Sequence, residues 1–253
     1  MMDETVFIGI DPTAGMRPVT YAVLDGRLRI KTLRSVPLEE VLADVLTYPA
    51  AVCGIDAPAG RNRGLLTDPD TRARLGLAAD RNTYSRYRLC EYELRRRRIP
   101  VYSTPPDEQR VPRWMRVGWT LYDRLRAAGF VDYPLQGTRR LFETYPHAAY
   151  TVLIKKRPYA KTSIEGLLQR QLVLYEEGVG VPDPMRALEE WTRHRLRTGQ
   201  LDLDIIYGHD ELDALMAAYT AYIVEREPHN ATALGDPTEG LIVLPVAHLQ
   251  DTY

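Results

Sequence analysis

Apolar positions fall into short strand-like runs near the N-terminus and into helical stripes further along. Thr5-Val6-Phe7-Ile8-Gly9-Ile10-Asp11 is an apolar run that ends in a carboxylate and breaks at Pro12. Ala51-Val52-Cys53-Gly54-Ile55-Asp56-Ala57-Pro58 has the same plan: an apolar run, Gly-Ile-Asp, then proline. Both read as buried strands carrying an aspartate at the C-terminal end. An unpaired buried charge is costly, so such an aspartate pairs, caps a turn or serves a site. Residues 19–24 predict a second strand, Asp25-Gly26 a tight hairpin turn, and residues 28–36 a third strand, giving an antiparallel meander. Residues 37–46 carry apolar side chains at helical spacing, with Pro37 in the first turn. That helix makes residues 50–56 a crossover strand, parallel to the first.

Beyond residue 60 the pattern changes. Residues 60–84 are polar and rich in turns and arginine (Arg61, Arg63, Arg72, Arg74, Arg81). Residues 84–98 predict a helix ending in four arginines, and residues 114–128 a helix with Trp114, Val117, Leu121 and Leu125 on one stripe. Leu141-Phe142-Glu143-Thr144-Tyr145-Pro146 is a third strand-like run that ends near an acid and a proline. Residues 147–206 read as mostly helical. Residues 208–227 give the clearest helix, with its stripe at Leu212, Leu215, Met216, Tyr219 and Ile223. Alanines at 214, 217, 218 and 221 permit close packing, and Leu241 to Pro245 is a last apolar run. No internal repeat beyond the two Gly-Ile-Asp strands and no low-complexity linker occurs. The expectation is one α/β domain over 1–253: a mixed sheet with helices on both faces and helical insertions at about 60–138 and 147–206. Strands 1–3 are antiparallel, and strands 1, 4 and 5 are parallel and adjacent.

Ligands of such sheets collect at the C-terminal strand ends, where this reading puts Asp11, Asp56 and Glu143. The last predicted helix opens Gly208-His209-Asp210-Glu211-Leu212-Asp213, with Asp210 and Asp213 three apart on one face. Several acids in one cleft repel each other unless a divalent cation joins them, and an all-oxygen set suits Mg²⁺ or Mn²⁺. Two such ions about 3.5–4 Å apart activate a water and stabilise a leaving oxygen in phosphodiester hydrolysis. Each residue also has a plainer reading. Asp11 and Asp56 cap the turns at their prolines, Glu143 pairs with an arginine, and Asp210 caps its helix. Asp213 lies past the cap and borders the apolar stripe. His209 transfers a proton or contacts phosphate. Arg61, Arg63 and Arg88 either track a phosphate backbone or belong to a charged loop. The tyrosines at 84, 87, 92 and 102 either stack bases or fill core and rim.

Composition adds bounds rather than direction. The chain has 253 residues, 45% hydrophobic and 26% charged, with net charge −1. This is an ordinary globular balance that favours neither a nucleic-acid nor a membrane partner. Cys53 and Cys90 are too few and too scattered for a disulfide framework or a metal motif, and both read as reduced residues of a cytoplasmic protein. Met1-Met2-Asp3-Glu4 lacks the regions of a signal peptide. No apolar run reaches membrane-spanning length.

These residues resemble the family catalogued as domain of unknown function 429, predicted nucleases with a ribonuclease-H-like fold. The resemblance rests on Gly9-Ile10-Asp11, Gly54-Ile55-Asp56-Ala57-Pro58, Arg88-Leu89-Cys90-Glu91 with Arg95, Phe142-Glu143-Thr144-Tyr145-Pro146, Asp210-Glu211-Leu212-Asp213-Ala214-Leu215, and Glu239-Gly240-Leu241-Ile242 with Pro245. By analogy with that fold, it implies a metal site on Asp11, Asp56 and Asp213, with Glu143 or Asp210 as a further ligand, and a nuclease acting on DNA or RNA. No role follows for the Arg88-Cys90-Glu91 element. Two other functions stay open. One is an ATP-dependent phosphotransferase of the actin and sugar-kinase type, because Asp11-Pro12-Thr13-Ala14-Gly15 resembles their phosphate loop. This chain is short for their paired domains. The other is a non-catalytic nucleic-acid-binding protein with a relict site. The oligomeric state is open, with a homodimer as one option.

Overall fold

The computed structural model of the chain describes residues 5–13, 18–78, 83–189, 191–201 and 203–253. Met1 to Glu4, Ala14 and Gly15 of the phosphate-loop resemblance, and Arg81 lie outside the described residues.

Eight strands among the described residues form one mixed sheet. β1 (Val6–Asp11), β2 (Val19–Leu24) and β3 (Ile30–Val36) make the antiparallel meander. After α1 (Leu38–Val45), β4 (Ala51–Ile55) returns parallel to β1. The arginine-rich stretch holds a short helix, α2 (Pro69–Arg74), started by Asp68, whose side chain accepts from the Thr71 amide at 2.8 Å. α3 (Leu89–Arg96) and α4 (Arg113–Ala127) follow. The helix expected from residue 84 begins only at Leu89, because residues 83–87 form turns and Tyr84 takes a positive φ.

Two-residue β5 (Val131–Asp132) and β6 (Arg139–Thr144) come next. β6 is the strand expected third in the parallel set, and it does lie beside β4. The insertion after it holds α5 (Pro146–Ile154), α6 (Ile164–Glu176), α7 (Met185–Glu189) and α8 (Arg193–Thr198). α9 (His209–Arg226) precedes the hairpin β7 (Thr232–Asp236) and β8 (Gly240–Leu244). The order across the sheet is β3-β2-β1-β4-β6-β8-β7, with β5 also on β6. This order is consistent with a ribonuclease-H-like α/β fold. The pairing of β8 parallel to β6 and the existence of β5 had no counterpart in the sequence pattern.

Alternation along the central strands sends their side chains into two cores. Phe7 and Val52 pack with α9, α5 and α6, whereas Ile8, Ile10, Cys53 and Ile55 pack with α1 and α4. Cys53 and Cys90 are both free thiols and buried. No helix is long and apolar enough to cross a membrane, among the described residues.

Candidate metal centre

The two Gly-Ile-Asp motifs are explained by what lies on them. Gly9 pairs with Gly54 in the parallel register, and both face the backbone of α9. A Cβ on Gly9 would sit 1.9 Å from the Ala214 carbonyl oxygen, and one on Gly54 2.6 Å from that of Ala217. The helix therefore rests on bare backbone. The intervening Ile10 and Ile55 point into the opposite core, and two residues past each glycine the side chain returns to the helix face. Asp11 and Asp56 thus emerge on the side where α9 supplies Asp213.

One carboxylate oxygen from each of Asp11, Asp56 and Asp213 lies within 4.8 Å of the others. Oxygen ligands stand about 2.0–2.6 Å from Mg²⁺ or Ca²⁺, so oxygens on one ion are at most about 4–5 Å apart. The cluster fits one hard divalent cation. Its electrostatics fit too. Asp11 is 8% and Asp213 4% exposed, while Asp56 is half-buried. Burial, then the neighbouring Asp213 charge, pushes the Asp11 carboxyl up to about 7, even though the Thr13 amide donates to it at 3.0 Å. Burial raises Asp56 well above the carboxylate range, with the Asp11 and Asp213 charges adding to it. No hydrogen-bond donor reaches the Asp56 carboxylate among the described residues. Asp213 is raised by burial and held back by Lys161, whose ammonium donates to it at 3.1 Å. One half-exposed lysine against two buried carboxylates and a half-buried one leaves a deficit of positive charge that protons or a cation must fill.

The other predicted residues are placed elsewhere. Glu143 was expected beside the aspartates but pairs with Ile55 in the β4–β6 register, whereas Gly54 pairs with Phe142. It therefore stands level with Ile10 and Ile55, one position short of the aspartates and on the alternate face. There it is fully buried and takes four hydrogen bonds. Two come from Arg88 (2.8 and 2.6 Å), one from the Ala59 amide (2.8 Å) and one from the Tyr102 hydroxyl (3.1 Å). Glu143 clamps the loop that carries Asp56. Arg88, expected at a phosphate, is likewise fully buried, and it also donates to Glu91 at 2.9 Å and to the Glu239 carbonyl at 3.1 Å. Glu239 completes this network by accepting from the amides of Arg63, Leu65 and Leu89. That is the structural role of the Arg88-Cys90-Glu91 element. Asp210 sits in the first turn of α9 within 3.1 Å of His209, outside the cluster. With Glu143 and Asp210 engaged, the cluster supplies ligands for one ion rather than two. Arg61 and Arg63 are exposed on the loop that follows Asp56.

Three aromatic residues complete the site. A recess of about 180 Å³ is lined by Asp11, Thr13, Asp56, Tyr102, Trp114 and Tyr145. Tyr102 meets Trp114 edge-to-face at 5.0 Å and Tyr145 at 5.5 Å. Burial keeps both tyrosine hydroxyls protonated, and these donate to Glu143 and to the Pro100 carbonyl. Trp114 is held in place because α4 docks on the turn after Asp56. A Cβ on Gly118 would meet the Ala57 Cβ at 2.4 Å, and the Tyr122 hydroxyl donates to the Ala57 carbonyl at 3.1 Å. Lys161, Trp114 and Tyr145 carried no sequence signal of a site. The first lies in a loop, and the other two read as apolar residues at element boundaries.

A family model described as Protein of unknown function (DUF429) matches residues 9–239, a span that includes all three aspartates. No curated protein and no solved structure matches the chain.

Proposed function

The chain belongs to the DUF429 family, and from the site it carries we propose a metal-dependent phosphodiesterase acting on nucleic acid. The observation that carries this reading is the convergence of Asp11, Asp56 and Asp213 from three separate elements into one desolvated cluster. Folding is not served by three carboxylates sharing one lysine, and such strain concentrates at functional positions. Asp11, Asp56 and Asp213 would hold Mg²⁺ or Mn²⁺. Once bound, such an ion supplies charge for a phosphoryl oxygen and a water acidic enough to attack near neutral pH. Lys161, half-exposed beside Asp213, offers its ammonium to a phosphate oxygen. The rings of Tyr102, Trp114 and Tyr145 exclude water and strengthen every charge interaction in the recess. His209 and Asp210 at the α9 N-terminus are close enough to each other to share a proton. The exposed Arg61 and Arg63 favour a polyanion over a small neutral substrate.

The test joins binding to turnover. Calorimetry with Mn²⁺ is expected to give saturable binding to the wild type. Asp11→Asn and Asp213→Asn should each weaken it by more than the roughly 10–100-fold typical of losing an outer partner of a ligand. Cleavage of labelled DNA and RNA oligonucleotides should be lost in the same variants. Wild-type cleavage by both variants would sink the proposal.

A further inference from the structure

A groove of about 560 Å³ is lined by Arg61, Arg63, Arg116 and Trp119 among others. Recess and groove are built from the same two elements. The loop after β4 gives Asp56 to the recess and Arg61 and Arg63 to the groove, and α4 gives Trp114 to the recess and Arg116 and Trp119 to the groove. Arg61 is five positions after Asp56, so their Cα atoms lie within about 18 Å of each other. Arg61 lies over the Trp119 ring, 4.9 Å from its centroid. The Arg63 guanidinium is exposed and has no partner among the described residues. Arg126 also reaches the groove, but it is committed to Asp132 at 2.8 Å.

Two of the three carboxylates, Asp11 and Asp213, are buried. Asp11 and Asp56 line the recess together with Tyr102, Trp114 and Tyr145. A phosphodiester that reaches Asp11 and Asp56 therefore meets three aromatic rings. A duplex is stiff over roughly 150 base pairs and carries its second strand wherever the first goes. A lone strand bends freely and has unpaired base faces to stack on rings, and rings interleaved with cations are the usual means of gripping it.

Resting on the hydrolytic reading above, we propose that the substrate is single-stranded nucleic acid, gripped by the Arg61–Arg63–Trp119 groove and by the aromatic rings beside Asp11 and Asp56.

The test measures strand preference without metal. Fluorescence anisotropy in EDTA would follow a labelled mixed-sequence oligonucleotide as single-stranded DNA, as single-stranded RNA and as the matching DNA duplex. At least one single strand is expected to bind about tenfold or more tighter than the duplex. The Arg61→Ala/Arg63→Ala variant should lower the salt slope of that binding by about 1.4, as expected for two lost phosphate contacts. Trp119→Ala should weaken it by about fivefold or more, one stacked base being worth about 1 kcal/mol at the least. Arg63→Glu, at an exposed side chain that bonds nothing in the fold, repeats the test where Trp119→Ala disturbs packing. Duplex bound as tightly as both single strands, or variants with wild-type affinity and salt slope, would overturn the inference. Selective single-strand binding without Mn²⁺-dependent cleavage would uphold it while removing the hydrolytic reading. Cleavage of duplex as fast as of single strands would do the reverse.

Discussion

Replacing Gly9 by alanine tests whether the helix that bears Asp213 is held at the aspartate cluster by backbone contact alone. The new Cβ would lie 1.9 Å from the Ala214 carbonyl oxygen, 2.3 Å from the Ala218 amide nitrogen and 2.9 Å from the Ala217 Cβ. Real Cβ atoms essentially never come closer than 3.0 Å, so α9 must lift by about 1.1 Å at Ala214. Nothing nearby yields easily, because two of the three obstacles are main chain and the same helix also rests on Gly54. Overpacking in a well-packed core costs typically about 1–3 kcal/mol, and the upper end applies where no side chain can rotate away. At about 2–4 °C per kcal/mol for a chain of this size, the melting temperature should fall by about 6–12 °C. The site should suffer separately. Asp213 directly precedes Ala214, and metal sites hold their ligand distances to about 0.2 Å, so Mn²⁺ affinity of the folded protein should drop by about tenfold or more. Differential scanning calorimetry and Mn²⁺ titration read the two effects. Gly137→Ala is the control, since the closest atom its Cβ would meet is a side-chain methyl of Val131, at 2.9 Å, and the nearest main-chain atom, the Arg139 carbonyl oxygen, lies at an ordinary 3.5 Å. A Gly9→Ala protein within about 2 °C of wild type would refute the packing argument. One that melts early but binds Mn²⁺ normally would refute the link from helix to site.

Two further predictions concern charge. Because the Asp11 carboxyl is raised from 3.8 to about 7 in the fold, its contribution to stability is full below 3.8 and is lost as pH climbs through 7. Asp56 and Asp213 act in the same direction. The metal-free protein should therefore melt progressively lower between about pH 5 and about pH 8. Mn²⁺ affinity should rise over the same interval with measurable proton release, and a pH-independent dissociation constant would contradict this. Glu143→Gln leaves buried Arg88 short of its counter-charge and should cost about 3–5 kcal/mol of stability, with Mn²⁺ affinity of the folded protein near wild type. Abolished Mn²⁺ binding at near-native stability would instead make Glu143 a ligand.

The sequence made the strands and the last helix legible because each carries its period in its own residues. β1, β4 and α9 lie close to where their apolar spacing puts them. Asp11, Asp56 and Asp213 were reachable for the same reason: a carboxylate at a strand tip or on an apolar stripe contradicts its surroundings. Glu143 looked equivalent but is not, because the face a strand residue takes depends on its register with the neighbouring strand, and a one-residue offset is invisible in a single run. Arg88 looked like a surface cation because its partners, the Glu91 and Glu143 carboxylates and the Glu239 carbonyl, are scattered over some 150 residues. Lys161 gave no signal, since its role is set by where an irregular loop happens to pass. Trp114 fitted an apolar stripe, and periodicity cannot tell a ring that fills a core from one that walls a recess.

The buried Arg88 network and the α9 contact also order events during synthesis. Asp11 and Asp56 leave the ribosome early, Asp213 about 150 residues after Asp56, and Glu239 later still. At about 5–20 residues per second, the two early carboxylates wait roughly 8–30 seconds for the third. Throughout that interval Gly9 and Gly54 lack the helix that rests on them, and the loop after Asp56 lacks the Glu239 that secures it. A nascent chain stalled before residue 209 would thus carry two of the three acids and no means of bringing a third to them, so the cluster cannot form before α9 has emerged.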